Sequence, residues 1–333
     1  MTRPKTHPYA SVPGYILGCT REIWEDRGLG DKLRRYYAPD CLVRAPSGLT
    51  TSMTGVEGDT LATLHQFPDR QLIGEDVIWK DLGDGDFLSS HRLISVMHHA
   101  NAGRFGAATG RQVKSRIIAD CWVHDGVITE EWLVRDGAGF ARALGQTPEG
   151  FAADCLAADV AAGRRPAFMI PEHDLPSRYR PTLADDPAAV MLATAYCRIW
   201  GDRSTDAITA HYHPGCSVAV PGGEFRNGHA DLDRFVIGYL ASFPAARLTL
   251  HDASVLREPE SGVRVSLRWS LDGVHSGWGH FGAPSGAVVH IMGISHATLT
   301  NDRIVFEWIL ADEVAIWTQI LSHRATTSPH GGI

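Results

Sequence analysis

Two stretches of the sequence would bring acidic and imidazole side chains together on adjacent strands. Asp125-Gly126 is a favoured two-residue hairpin turn, so His124 pairs with Val127. Counting outward places Asp120 opposite Glu131 on one sheet face. Two carboxylates that close repel, and one keeps its proton to higher pH. That suits a general acid or base working near neutrality. With Asn301-Asp302 in the second turn, the same count places His296 opposite Glu307. There the carboxylate would orient the imidazole and favour its charged form. The alternative places Glu131 and Glu307 on the outward face, bonding Arg92 or Arg268 or lying at an interface.

Further groups surround these. His99 and His275 end a long strand each, where a histidine could shuttle protons at a cavity mouth or be held by backbone. The expected catalytic set is thus Asp120, Glu131, His99, His296 and Glu307. Arg92 and Arg268 fall mid-strand and need partners if buried; an ion pair with a neighbouring Glu is favoured over a clamp on a substrate carboxylate or enolate. Trp24, Tyr37, Trp132, Trp200, Tyr212 and Trp308 would be core or pocket wall and, with Arg92 and His275, form the expected substrate-binding set. His211-x-His213 stands alone without an HExxH spacing, no G-x-S-x-G elbow occurs, and GGEFRNG and GLGDK do not follow GxGxxG. No metal and no cofactor are expected.

The elements that must position these groups occur twice. Moving Phe67-Pro68 onto Phe243-Pro244, a shift of 176, also superposes Arg92 on Arg268, His99 on His275, Gly110 on Gly286, Glu131-Trp132 on Glu307-Trp308 and Asp136 on Asp312. Upstream, Ile23-Trp24 falls on Ile199-Trp200, and after one lost residue Tyr37 matches Tyr212. Two copies are too few for a solenoid, so each must fold alone. Each reads as an opening helix, a short strand, a second helix, then three or four longer strands ending in the hairpin. Helices followed by an antiparallel meander give an α+β domain.

The expected division is 1–145 and 187–325 for the two copies, 146–186 for a helix and Pro-rich linker, and 326–333 for a flexible tail. Thr147-Pro148 opens the linker helix, with Thr as N-cap and Pro at its first position. The proline-rich run after it reads as a linker laid on the surface. A chain of 333 residues with net charge −7 and no basic block carries no footprint for nucleic acid. No apolar run reaches the ~20 residues of a membrane helix, and no secretory segment is seen. Six scattered cysteines read as reduced thiols of a cytoplasmic protein.

Three signatures carry a resemblance. R-x6-H precedes [ST]-G by ten residues at Arg92, His99, Thr109-Gly110 and at Arg268, His275, Ser285-Gly286. The hairpins read DGVITEEW and NDRIVFEW, and Asp136 and Asp312 follow four residues after the Trp. Together they resemble the SnoaL-like branch of the nuclear transport factor 2-like (cystatin-like) superfamily. The resemblance implies two tandem cystatin-like cones, each a curved, mostly antiparallel sheet with helices on its concave face around an apolar cavity. The acid usual in SnoaL-like cyclases aligns with Ala119 and Ser295, one position before Asp120 and His296.

The function expected is a cofactor-independent acid/base enzyme of isomerase, dehydratase, cyclase or hydrolase type. Its substrate would be a small carbonyl-bearing or cyclic molecule. The first copy, with its carboxylates and Arg116, is expected to be the more catalytic. The alternative is a non-catalytic protein that binds a small ligand or partner, its copies arranged like a dimer within one chain; a homodimer is also compatible with the sequence.

Overall fold

The computed structural model describes residues 4–183, 185–259 and 262–327. The first unit runs α1 (Val12–Thr20), α2 (Asp31–Tyr36), β1 (Tyr37–Ala45), β2 (Gly48–Thr50), α3 (Met53–Gln66), β3 (Gln71–Gly83), β4 (Asp86–His98), β5 (Gln112–His124), β6 (Val127–Arg135) and α4 (Gly137–Ala143). Between the units lie α5 (Pro148–Ala161) and α6 (Pro171–Asp174). The second unit repeats the order as α7 (Pro187–Tyr196), α8 (Ala207–His211), β7 (Tyr212–Val220), β8 (Glu224–Asn227), α9 (Gly228–Ser242), β9 (Arg247–Glu258), β10 (Gly262–Val274), β11 (Val288–Thr300), β12 (Arg303–Ala311) and α10 (Glu313–Thr327). Of the expected tail, 326 and 327 belong to α10, and 328–333 lie outside the described residues. Among the described residues no helix is long and apolar enough to cross a membrane.

Each unit folds into one six-stranded sheet, β2-β1-β6-β5-β4-β3 and β8-β7-β12-β11-β10-β9. The long strands pair antiparallel, whereas β1 joins β6, and β7 joins β12, in parallel. The hairpin turns have the positive φ that their tight geometry requires, at Asp125 and Gly126 and again at Asn301 and Asp302. Helices α1–α3 cover the inner face of the first sheet, where Tyr15, Ile16, Ile23, Leu33 and Tyr36 pack with Phe87, Cys121, Val123 and Ile128. Five-residue π-helical turns at Arg21–Glu25 and Cys197–Gly201 carry Trp24 and Trp200. Both copies keep this widened turn, which periodicity in a sequence does not reveal.

The outer faces of the two sheets pack against each other. Leu88, Ile118, Trp132 and Val134 of the first meet Met292, Ile294 and Leu310 of the second in one buried cluster. The linker does not simply lie on the surface, as its prolines suggested. Thr147 caps α5 as expected, accepting from Gly150 N at 3.1 Å, but Met169, Asp174 and Tyr179 are buried. Met169 and Tyr179 join the inter-sheet cluster. Glu130, fully buried beside Arg44 at 2.7 Å, accepts hydrogen bonds from Ser177 Oγ and Arg178 N and anchors the segment. A buried carboxylate needs such partners, and the linker supplies them.

Candidate functional site

The two acid/base pairs expected from hairpin counting do not form. His124 pairs with Val127, but a bulge follows, and Trp122 pairs with Glu130 while Val123 pairs with Ile128. Thr129 is the extra residue. One extra residue flips every later side chain on that strand. Asp120 therefore lies opposite Trp132, and Glu131 lies opposite Cys121. The second hairpin repeats the bulge at Val305, so His296 faces Trp308, and Glu307 faces Ala297. Asp120 and His296 point outward, away from Glu131 and Glu307, into the space between the sheets.

There they form a pseudo-twofold arrangement. Arg268 stacks over Trp132 with 3.9 Å to the ring centre and lies 3.3 Å from Asp120. At the equivalent place Arg92 stacks over Trp308 at 3.5 Å, and its Nη1 lies 3.2 Å from His296 Nδ1. His296 Nε2 is 2.8 Å from Ser90 Oγ. Each copy's arginine thus meets the other copy's tryptophan and hairpin residue, the reciprocity of an isologous interface. Burial raises the Asp120 carboxyl to about 6, against the pull of Arg268. Burial and the charge of Arg92 push His296 well below its usual range. Arg92 takes its counter-charge from Glu75 at 3.0 Å, the ion pair with a neighbouring Glu that the sequence favoured. Asp120, His296, Arg92, Trp132 and Trp308, expected at catalytic or substrate-binding positions, are interface residues.

The inner faces hold the other set. In the first cone Tyr37 donates to Glu131 at 2.8 Å, and Trp24 meets the Tyr37 ring edge-on. Burial raises the Glu131 carboxyl, partly offset by the Tyr37 hydrogen bond. On the next rows lie His91, opposite Ala119, and Arg135, opposite Ile117. Burial lowers His91 to about 4, so its imidazole is neutral at physiological pH, and its Nδ1 has no hydrogen-bond partner. Ala119, where the resemblance places the usual acid, shares this inner face and brings no carboxylate. His91 and Arg135 were not singled out from the sequence; the facing that puts His91 beside Glu131 depends on the bulge.

The two interiors differ. In the second cone one continuous cluster runs from Leu192 to Ile320 and includes Trp200, Phe235, Tyr239 and Trp269. In the first, two clusters stand apart, around Tyr15 and Phe87 and around Phe67 and Phe151. Polar Ser89, His91, Ser95 and Glu131 lie on the sheet face between them. Trp24 and Leu133 are partly exposed and Arg135 is exposed, whereas their repeats Trp200, Ile309 and Ala311 are buried. Glu131 keeps 8% of its surface accessible and Glu307 none. Glu307 is held by Tyr196 at 2.7 Å and Tyr212 at 2.6 Å, and burial raises its carboxyl to about 7.

A cross-strand exchange of volume closes the second cone. Leu93 pairs with Ile117 in the first sheet, and Trp269 pairs with Gly293 at the same place in the second. A Cβ on Gly293 would lie 2.2 Å from the Trp269 ring. Gly293→Ala should therefore displace the indole and cost about 1–3 kcal/mol, read from urea unfolding; wild-type stability would show that the ring has room to move.

His99 and His275 are fully buried rather than at an opening. His99 stacks on Phe67 and lies 3.3 Å from Thr109 Oγ1, and His275 lies 3.0 Å from Ser285 Oγ. The [ST]-G spacing thus serves to hold the histidine ring. A shallow groove of about 240 Å³ on the second unit is lined by Arg226, Asp231, Arg234, Phe235 and His280.

Residues 193–307 match the family model described as SnoaL-like domain. No curated protein matches the chain. Among solved structures, IdmH from Streptomyces antibioticus, a proposed polyketide cyclase, is 24% identical over 40% of this chain and 99% of its own, with a TM-score of 0.35. A proposed SnoaL-like polyketide cyclase from Jannaschia sp. CCS1 is 20% identical over 42% and 97%, at 0.35. An NTF2-like protein of unknown function from Burkholderia pseudomallei is 14% identical over 40% and 98%, at 0.33. The second unit is thus similar to the SnoaL-like domain family, and the first repeats its strand order and paired bulge.

Proposed function

We propose that the first cone is the working site of a cofactor-independent acid/base enzyme, with Glu131 as the base. The observation that carries this reading is the state of Glu131: inward, desolvated, steadied by Tyr37, and still reachable by solvent. A carboxylate whose pKa is raised is a stronger base than one in water, and it accepts a proton from carbon beside a carbonyl more readily. His91, neutral and with a free Nδ1, can exchange a hydrogen bond with a substrate carbonyl or hydroxyl without bringing charge. Trp24 supplies an apolar wall. Substrates in this reading are small carbonyl-bearing or cyclic molecules undergoing isomerisation, dehydration, cyclisation or hydrolysis. Glu307 stands at the equivalent place, but its cone is filled, which suits a structural role.

Glu131→Gln tests the proposal, because it keeps the shape and the Tyr37 contact while removing the base. Turnover of a substrate found by screening carbonyl compounds should fall by about 100-fold or more with the thermal unfolding curve unchanged. Wild-type turnover in this variant sinks the proposal. In the wild type, kcat/KM should fall as pH drops through the raised Glu131 pKa, since the base is then protonated. Ala119 at the aligned acid position favours a second reading, in which this cone binds a ligand without converting it. A ligand bound by both proteins and turned over by neither would support that reading.

A further inference from the structure

Two arginines of the first cone stand apart from the ion pairs and hydrogen bonds described so far. Arg135 ends β6 on the same inner face as Glu131, and Arg70 stands just before β3. Among the described residues neither guanidinium makes a hydrogen bond or an ion pair. Arg70 is half-buried, and its Nε is shielded from solvent without a hydrogen bond. Burial lowers Arg70 to about 10, and the charges of Arg135 and Arg27 add to this. Arg135 is exposed by surface area, yet surrounding protein desolvates it enough to lower its pKa. An unpaired, desolvated guanidinium is costly to keep, and a second positive charge nearby makes it more so.

The repeat sharpens the point. The residues equivalent to Arg70 and Arg135 in the filled cone are Ala246 and Ala311, both buried. The fold therefore accommodates alanine at these places, and the arginines are particular to the first cone. By contrast Arg27 and its repeat Arg203 both bond backbone carbonyls around the Phe-Pro turn, Arg27 to Pro68 at 2.7 Å and Arg203 to Pro244 at 2.6 Å. That arginine is structural in both copies. Arg70 and Arg135 are not accounted for in this way.

We infer that the first cone takes a ligand bearing a carboxylate, which Arg70 and Arg135 hold while the rest of the ligand reaches toward Glu131. The position of the reacting end rests on the acid/base reading above. Arg135 lies four positions along one strand from Glu131, roughly 13 Å between Cα atoms. Guanidinium groups match carboxylate geometry and release less hydration than ammonium groups would. Glu131, Asp312 and Asp59 all act electrostatically on Arg135, so a monoanion meets less repulsion there than a phosphate dianion.

The test uses the full chain and three probes: 4-phenylbutanoate, its amide 4-phenylbutanamide, and inorganic phosphate. Affinities are read by calorimetry for wild type, the double variant Arg70→Ala/Arg135→Ala, and Glu131→Gln. The acid should bind wild type at least tenfold tighter than the amide and than phosphate. The double variant should lose that preference while unfolding at the wild-type temperature. Glu131→Gln should keep it. Equal affinity for acid and amide, no saturable binding of the acid, a preference for phosphate, or an undiminished preference in the double variant each overturns the carboxylate site. Arginine-dependent binding together with full turnover by Glu131→Gln would remove the base assignment and leave the carboxylate site standing.

Discussion

Truncating Arg268 to alanine should destabilise the chain by about 3–5 kcal/mol at pH 8, because it leaves Asp120 ionised between two packed sheets with no cation beside it. Arg268 and Asp120 are almost wholly buried, and the guanidinium also covers the Trp132 ring. The penalty depends on pH in a definite direction. Asp120 already holds its proton to about 6 with Arg268 present. Without the arginine its folded-state pKa rises further, and the native state then escapes the buried charge by binding a proton. The loss measured by urea unfolding should therefore shrink between pH 8 and pH 5. An equal loss at both would show that Asp120 is not the group left exposed to the deficit. Replacing both partners by apolar residues, Asp120→Leu with Arg268→Met, should cost less than Arg268→Ala alone, since no unpaired group remains.

Glu307 should impose an opposite slope to that of most surface carboxylates. Its pKa is raised from 4.5 to about 7 by burial, outweighing the hydroxyls of Tyr196 and Tyr212. A group with a raised folded-state pKa gives its full stabilisation below the unfolded value and loses it as pH climbs through the folded one. The window is thus pH 4.5 to about 7, and the contribution lost across it is about 3 kcal/mol. Glu307→Gln, which mimics the protonated form, should remove that share of the decline between pH 5 and pH 8 in urea unfolding. Asp120 and Asp312, also raised by burial, leave a residual slope of the same sign. A variant whose decline matches wild type would place the Glu307 titration outside this window.

The sequence made the duplication legible because a shared register survives divergence: Phe-Pro turns, the R-x6-H strand and both hairpin turns all recur at one offset. Local chemistry was legible too, as with Thr147 and Pro148 at the start of α5. Side-chain parity was not. Thr129 and Val305 are ordinary strand residues, with no glycine or proline to mark a bulge, yet each reverses the facing of everything after it. Hence Glu131 was found, but with the wrong partner. Arg70 and Arg135 escaped notice because each is a lone basic residue at a strand end, and only the alanines at their repeats set them apart. The filling of the second cone was hidden for a related reason. Trp269 reads as one more core aromatic until Gly293 is seen across from it.

Fusing both halves of the inter-sheet contact into one polypeptide also changes how that contact can evolve. Between two identical chains, any substitution at such a contact appears on both sides of the axis at once, so a carboxylate placed there brings its own copy along. Here aspartate could settle at 120 while histidine settled at 296, each tuned against a different arginine. The same covalent tie lets one interior close into a single apolar mass while its sibling keeps polar side chains between two separate clusters.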